Sequence, residues 1–120
     1  MTKSELKERF RKYAIGISLL TYKLPKNPVN NNYIDQVTRA GSSSAANYSA
    51  ALRAKSNKDF INKLKIVEEE LDESIFFLDL IFVANPKFKE EILSLSKEGN
   101  ELLSIIVASL KTLRKKYPPS

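Results

Sequence analysis

The chain has 120 residues, 42% hydrophobic and 28% charged, and its 20 Lys and Arg against 14 Asp and Glu give a formal charge of +6. This is the size and composition of one soluble globular domain spanning 1–120, and it excludes disordered, collagenous and disulfide-stapled chains. Cys, His and Trp are absent, which removes thiolate nucleophiles, imidazole bases, Cys/His zinc centres and the His-bearing di-iron sites of ferritin-like bundles. Composition leaves a carboxylate, Lys or Ser mechanism open but names no reaction, and the expectation is a non-enzymatic protein without a cofactor.

The first twelve residues are charged throughout and lack the apolar core and cleavage site of a secretory leader, which predicts a cytoplasmic protein. Leu6, Phe10, Tyr13, Ile17, Leu20 and Leu24 follow at alternating spacings of four and three, so a first helix is predicted over 4–23. Pro25 ends it, and the Pro- and Asn-rich segment 26–32 reads as a loop. A second helix is expected over 33–54, with Ile34, Val37, Gly41, Ser44, Tyr48 and Leu52 facing inward. Its middle, Ala40 to Ala46, carries nothing larger than Ser, which lets a neighbouring helix approach closely.

Ser56 is a candidate N-cap for a third helix over 56–84, with Asp59 where a capping box places its acid. The third helix carries the seam Phe60, Leu64, Val67, Leu71, Ser74, Leu78 and Ile81. Asn85-Pro86 breaks it, and Pro86 suits the first turn of a fourth helix over 86–116, whose seam runs from Phe88 through Ile92, Leu95, Gly99, Leu102 and Ile106 to Leu113. Pro118-Pro119-Ser120 reads as a frayed end. The most apolar run, 71–84, is interrupted by acids and falls short of the ~20 residues that span a bilayer, so no membrane association is expected.

Four helices with short connections predict an all-α, antiparallel up-down-up-down four-helix bundle. The third and fourth helices carry further apolar residues off the seam, Ile75, Phe76, Phe77, Leu80, Phe82 and Val83 in one and Leu103, Ile105, Val107 and Leu110 in the other. Those residues either widen the core or cover another subunit, and a homo-oligomer is the expectation. Glu68, Glu69, Glu70, Asp72 and Glu73 have carboxylates at spacings that could share a face, yet without His they read as a solvated acidic face or as partners of Lys63, Lys65 or a neighbouring helix. Ser42, Ser43 and Ser44 match no nucleophile arrangement and read as packing residues.

Arg39-Ala-Gly41-Ser-Ser43-Ser-Ala-Ala-Asn47-Tyr48, followed by Arg53-Ala-Lys-Ser56, Asp59-Phe-Ile61 and Ile66-Val-Glu-Glu69 through Ser74, resembles the hallmark segment of a bacterial family. Its members are four-helix-bundle proteins first noticed as open reading frames in intervening sequences of 23S ribosomal RNA genes. The resemblance extends over almost the whole chain in helix length and pattern, and its specific motif lies within 39–74. It implies a bundle that assembles as a homopentamer and has no assigned activity. The accessory variability protein of diversity-generating retroelements, a basic pentamer that binds nucleic acid and a reverse transcriptase, looks like a relative. Family members usually carry a Glu shortly after the Asn, where this chain has Ala50, and a Val or Ile where it has Ser44.

The charge is uneven. Residues 1–30 hold seven cations against two acids, and residues 61–90 hold four against seven. In up-down-up-down order the start of the first helix, the turn between the second and third, and the end of the fourth meet at one pole. That pole would gather Lys3, Lys7, Arg9, Arg11, Lys12, Arg53, Lys55, Lys58, Lys111, Arg114, Lys115 and Lys116 against Glu5, Glu8 and Asp59, with Tyr13 and Tyr117 nearby as stacking or hydrogen-bonding groups. Such a surface points to RNA or DNA bound without sequence preference. The other open reading is a protein-interaction scaffold, with Lys and Arg at helix C-termini serving the macrodipole and solubility.

Overall fold

The computed structural model describes residues 1–119. It contains α1 (Lys3–Lys23), α2 (Pro28–Ala51), α3 (Asn57–Ala84) and α4 (Lys89–Lys116), the last entered through a 3₁₀ turn at Pro86–Phe88, and among the described residues there is no strand. The backbones neighbour one another around a square, α1 to α2 to α3 to α4 and back to α1, and none approaches closely across a diagonal. Side-chain pairings fix the directions. Phe10 stacks on Tyr48 while Ile17 meets Gly41, Arg39 reaches Glu70 while Asn30 reaches Asn85, Arg9 reaches Glu98 while Lys23 reaches Glu91, and Ile75 meets Gly99 while Lys58 and Arg114 border one cleft. Each neighbour therefore runs opposite to the last, as an up-down-up-down bundle requires.

The first-helix stripe from Leu6 to Leu24 is buried throughout, and so are Leu64 to Ile81 of the α3 seam and Ile92, Leu102, Ile106 and Leu110 of α4. Gly41 has a packing reason. A Cβ there would stand 2.7 Å from Ile17 Cδ1, so glycine sets how closely α1 and α2 approach. Tyr13 is 1% exposed, and its hydroxyl lies 2.7 Å from Ser74 Oγ, which itself donates to the Leu71 carbonyl at 2.8 Å. Tyr13 thus belongs to the core and is withdrawn from the surface groups of the pole. Burial pushes its phenol up to about 12.

The loop expected over 26–32 is largely helical, because α2 begins at Pro28. Asn27 caps it by accepting from the Asn30 N–H at 2.9 Å, and Pro28 fills the first turn, where a missing N–H costs nothing. Asn30 is buried and forms a reciprocal amide pair with Asn85, at 2.8 and 3.0 Å, that ties the start of α2 to the turn before α4. At its other end α2 stops at Ala51, earlier than the expected 54, and Arg53 and Ala54 turn back on the carbonyls of Ala50 and Ala51. Ser56 then caps α3 as anticipated, accepting from the Asp59 N–H at 3.1 Å.

Half of the ten off-seam apolar residues widen the core. Leu110 is fully buried, and Phe77, Phe82, Leu103 and Ile105 pack against the buried cluster, while Phe76, Val83 and Val107 stay exposed. No helix among the described residues is long and apolar enough to cross a membrane.

Candidate nucleic-acid interface at the basic pole

Three chain segments converge at the end of the bundle where α1 starts, α2 passes into α3 and α4 ends. Lys3, Lys55 and Lys116 border one cleft of about 650 Å³, together with Phe60, Thr112 and Tyr117. Lys58, Lys65 and Arg114 border a second of about 460 Å³, whose remaining walls include Ile61, Tyr117, Pro118 and Pro119. Tyr117 faces both clefts. The Lys116 ammonium sits 5.6 Å from the Tyr117 ring centroid and that of Lys3 sits 5.4 Å from the Phe60 ring, both within cation–π range.

Lys65 is the cation that pattern reading missed. It stands seven residues after Lys58, two helical turns along the same face of α3, so the spacing already contained the signal. Pro118 and Pro119 wall a cleft, and Ser120 lies outside the described residues.

The other pole candidates divide. Arg53, Lys111 and Lys115 are exposed but line neither cleft, and Lys12 is exposed further along α1. Lys7 and Arg11 lie in a groove between α1 and α2 beside Ser42, Ala46 and Ser49, and Arg11 pairs with Glu8 at 3.0 Å. Arg9 turns to the α1–α4 seam, where Glu98 and Glu101 bind its guanidinium and raise its pKa, chiefly through the Glu98 hydrogen bond. It is a bundle contact and drops out of the free positive surface. Lys3, Lys55, Lys58, Lys65, Lys111, Arg114, Lys115 and Lys116 have no carboxylate within 4.0 Å among the described residues.

The opposite end is different. There the Lys23 ammonium pairs with Glu91, and Lys26 donates to the carbonyls of Thr21 and Leu24 at 2.8 and 2.7 Å, closing the end of α1. On the α3 face, Glu70 and Glu73 hold Arg39 of α2, whose pKa is raised chiefly by the Glu73 hydrogen bond. No group of three or more carboxylates among the described residues could hold a metal ion.

The hallmark segment is a set of packing devices. Arg39 bridges to α3, Gly41 admits Ile17, Asn47 donates to the Ser43 carbonyl and hydroxyl at 2.9 and 3.1 Å, and Tyr48 stacks on Phe10 with centroids 4.8 Å apart. The family model of the 23S rRNA-intervening sequence protein matches residues 2–108. The chain belongs to that family. A crystal structure of a protein of unknown function from the S23 ribosomal protein family of Bacteroides thetaiotaomicron superposes with a TM-score of 0.80 at 28% identity, covering 92% of this chain and 99% of that one. No curated protein matches the chain. Neither the family's description nor its solved relative assigns an activity.

Proposed function

We propose that this protein is a non-enzymatic, self-associating bundle that binds nucleic acid through the basic pole without sequence preference. One observation carries the reading: six cations of that pole line two clefts with no carboxylate paired to them, whereas at the opposite end Lys23 and Lys26 are engaged by a carboxylate and by carbonyls, and Lys87 and Lys89 share their cleft with Glu90 and Glu91. Two of them stand where the helix macrodipole disfavours positive charge. Arg114, Lys115 and Lys116 suit the C-terminus of α4, but Lys3 and Lys58 sit in the first turns of α1 and α3, where the macrodipole disfavours positive charge. Helix stability therefore does not favour those two cations, and a bound phosphate would.

Self-association belongs to the same proposal. Phe76 and Val83, seven residues apart on one face of α3, are 57% and 73% exposed, an apolar face that a second copy would cover. The pentamer that the family resemblance implies is the expected assembly, and a scattering mass near the 13.6 kDa of one chain would remove it.

The test is a salt-titrated binding assay with mixed-sequence oligonucleotides. If the six cations lining the clefts each neutralise one phosphate, affinity falls roughly 300-fold or more between ~50 and ~200 mM salt through counterion release. Charge reversal at Lys55, Arg114 and Lys116 abolishes binding with the helical spectrum unchanged, whereas reversal at Lys87 and Lys89, at the other end, leaves it intact. Absence of binding at ~50 mM salt removes the reading and leaves a protein-interaction scaffold in its place.

A further inference from the structure

We propose that the ring of Tyr117 is a base-stacking platform shared by the two cationic clefts, so that the pole selects single-stranded over duplex nucleic acid; this rests on the basic-pole reading above. Tyr117 is half-buried at the end of α4, with its N–H donating to the Leu113 carbonyl at 2.7 Å, so the backbone under the ring is held in place. The side chain borders the cleft of Lys3, Lys55 and Lys116 on one side and that of Lys58, Lys65 and Arg114 on the other. An aromatic plane between two sets of phosphate-binding cations is the arrangement that single-strand binders use, with bases on the ring and the flanking backbone in the positive groove.

The clefts are of ligand size, about 650 and 460 Å³, within the roughly 300–1,000 Å³ that small-molecule sites occupy. A base in a duplex is paired and stacked on its neighbours and reaches such a ring only by leaving the helix, which costs unpairing energy that a single strand does not incur. In the free protein the Lys116 ammonium lies against the ring. A phosphate in the first cleft draws that flexible side chain away, and the uncovered π-face accepts the base. Phe60 has the same construction, with Lys3 over its ring in the same cleft, and supplies a second apolar wall.

The experiment compares a fluorescent oligothymidylate with a mixed-sequence duplex of equal length at ~50 mM salt, for the full chain and for Tyr117→Phe, Tyr117→Leu and Tyr117→Ala. The wild type is expected to bind the single strand more tightly. Tyr117→Phe keeps that preference, whereas Tyr117→Leu and Tyr117→Ala weaken single-strand binding by about 5- to 150-fold, the range found for loss of one base–aromatic stack. Duplex binding and the steepness of its salt dependence stay the same, because no phosphate contact is lost. Tyr117→Leu keeps an apolar side chain over the core, so its loss of affinity with an unchanged melting temperature separates stacking from folding. Equal weakening of both ligands, or no weakening by Tyr117→Leu, overturns the platform while leaving the basic pole in place. Failure of the wild type to bind either ligand overturns both.

Discussion

Gly99→Ala is the most informative single change in the core. A Cβ at Gly99 would stand 2.6 Å from the Tyr13 hydroxyl oxygen and 3.0 Å from both Tyr13 Cζ and Ile75 Cγ1. The Tyr13 ring is rigid, 1% exposed, and anchored by its 2.7 Å bond to Ser74, so making room requires breaking that bond or moving α4 outward. Replacing glycine by alanine within a helix contributes up to ~1 kcal/mol in favour of folding. Overpacking costs about 1–3 kcal/mol, and loss of the hydrogen bond costs a further ~1 kcal/mol. The net expectation is a destabilisation of about 1–3 kcal/mol, or roughly 4–12 °C in thermal midpoint for a chain of this size. Gly16→Ala is the control. Its Cβ meets only the Cδ2 end of Leu95, a partly exposed side chain that can rotate away, so this variant is as stable as the wild type or slightly more so. Combining Gly99→Ala with Tyr13→Phe removes the nearest atom, and the double variant should recover ~1 kcal/mol relative to the sum of the singles. Urea titrations of the four proteins read the cycle. Gly99→Ala as stable as the wild type, or strict additivity with Tyr13→Phe, would refute the account of this contact.

Tyr13 also predicts an alkaline transition. Its phenol is pushed from an ordinary 10 up to about 12 by burial, so its contribution to stability is complete below pH 10 and is lost as the pH rises towards 12. Tyr48, raised by burial as well, acts in the same direction. Denaturant melts of the wild type and Tyr13→Phe at pH 8 and pH 11 check this, and an equal loss in the two proteins counts against it. At the pole, Lys58→Glu places an acid in the first turn of α3 and is expected to stabilise the bundle by about 0.3–1 kcal/mol through the macrodipole while weakening oligonucleotide binding. A variant that melts lower and binds as before contradicts both halves of that expectation.

The bundle was legible because its seams are. Every stripe residue of the first helix from Leu6 to Leu24 is buried, since a strict four-three spacing admits one inward face and no strand pattern competes. Asn27-Pro28 and Asn85-Pro86 show the limit of local reading. The two dipeptides are identical, and both sit at a helix entrance, one as cap and first turn of α2, the other opening the 3₁₀ turn before α4. The first looked like loop because three further Asn follow it. The cap at Asn27 and the proline in the first turn were local signals of a helix start that the Asn run obscured, whereas the pairing of Asn30 with Asn85, across 55 positions, lies outside any local window. Tyr13 and Arg9 were misplaced for a related reason. Periodicity assigned Tyr13 to the inner face, but only the partner Ser74 shows that its hydroxyl is satisfied inside, and only Glu98 and Glu101 show that Arg9 is consumed by α4.

The hallmark segment and the pole occupy different parts of the bundle, so belonging to the family and the proposed function rest on different residues. Gly41, Arg39 and Tyr48 act along α2, where they set the approach of α1, reach the acids of α3 and stack within the core. Each of those tasks is helix packing, which any bundle of this topology needs whatever it binds. The pole draws its cations from helix ends and a turn, where they are exposed and a change of charge breaks no ion pair of the bundle. The family match ends at residue 108, before Arg114, Lys116 and Tyr117 of the clefts. Two members with the same Gly41 contact can differ completely at the positions of Lys55, Lys58, Arg114 and Tyr117, and it is those positions, not the motif, that carry the case for nucleic acid here.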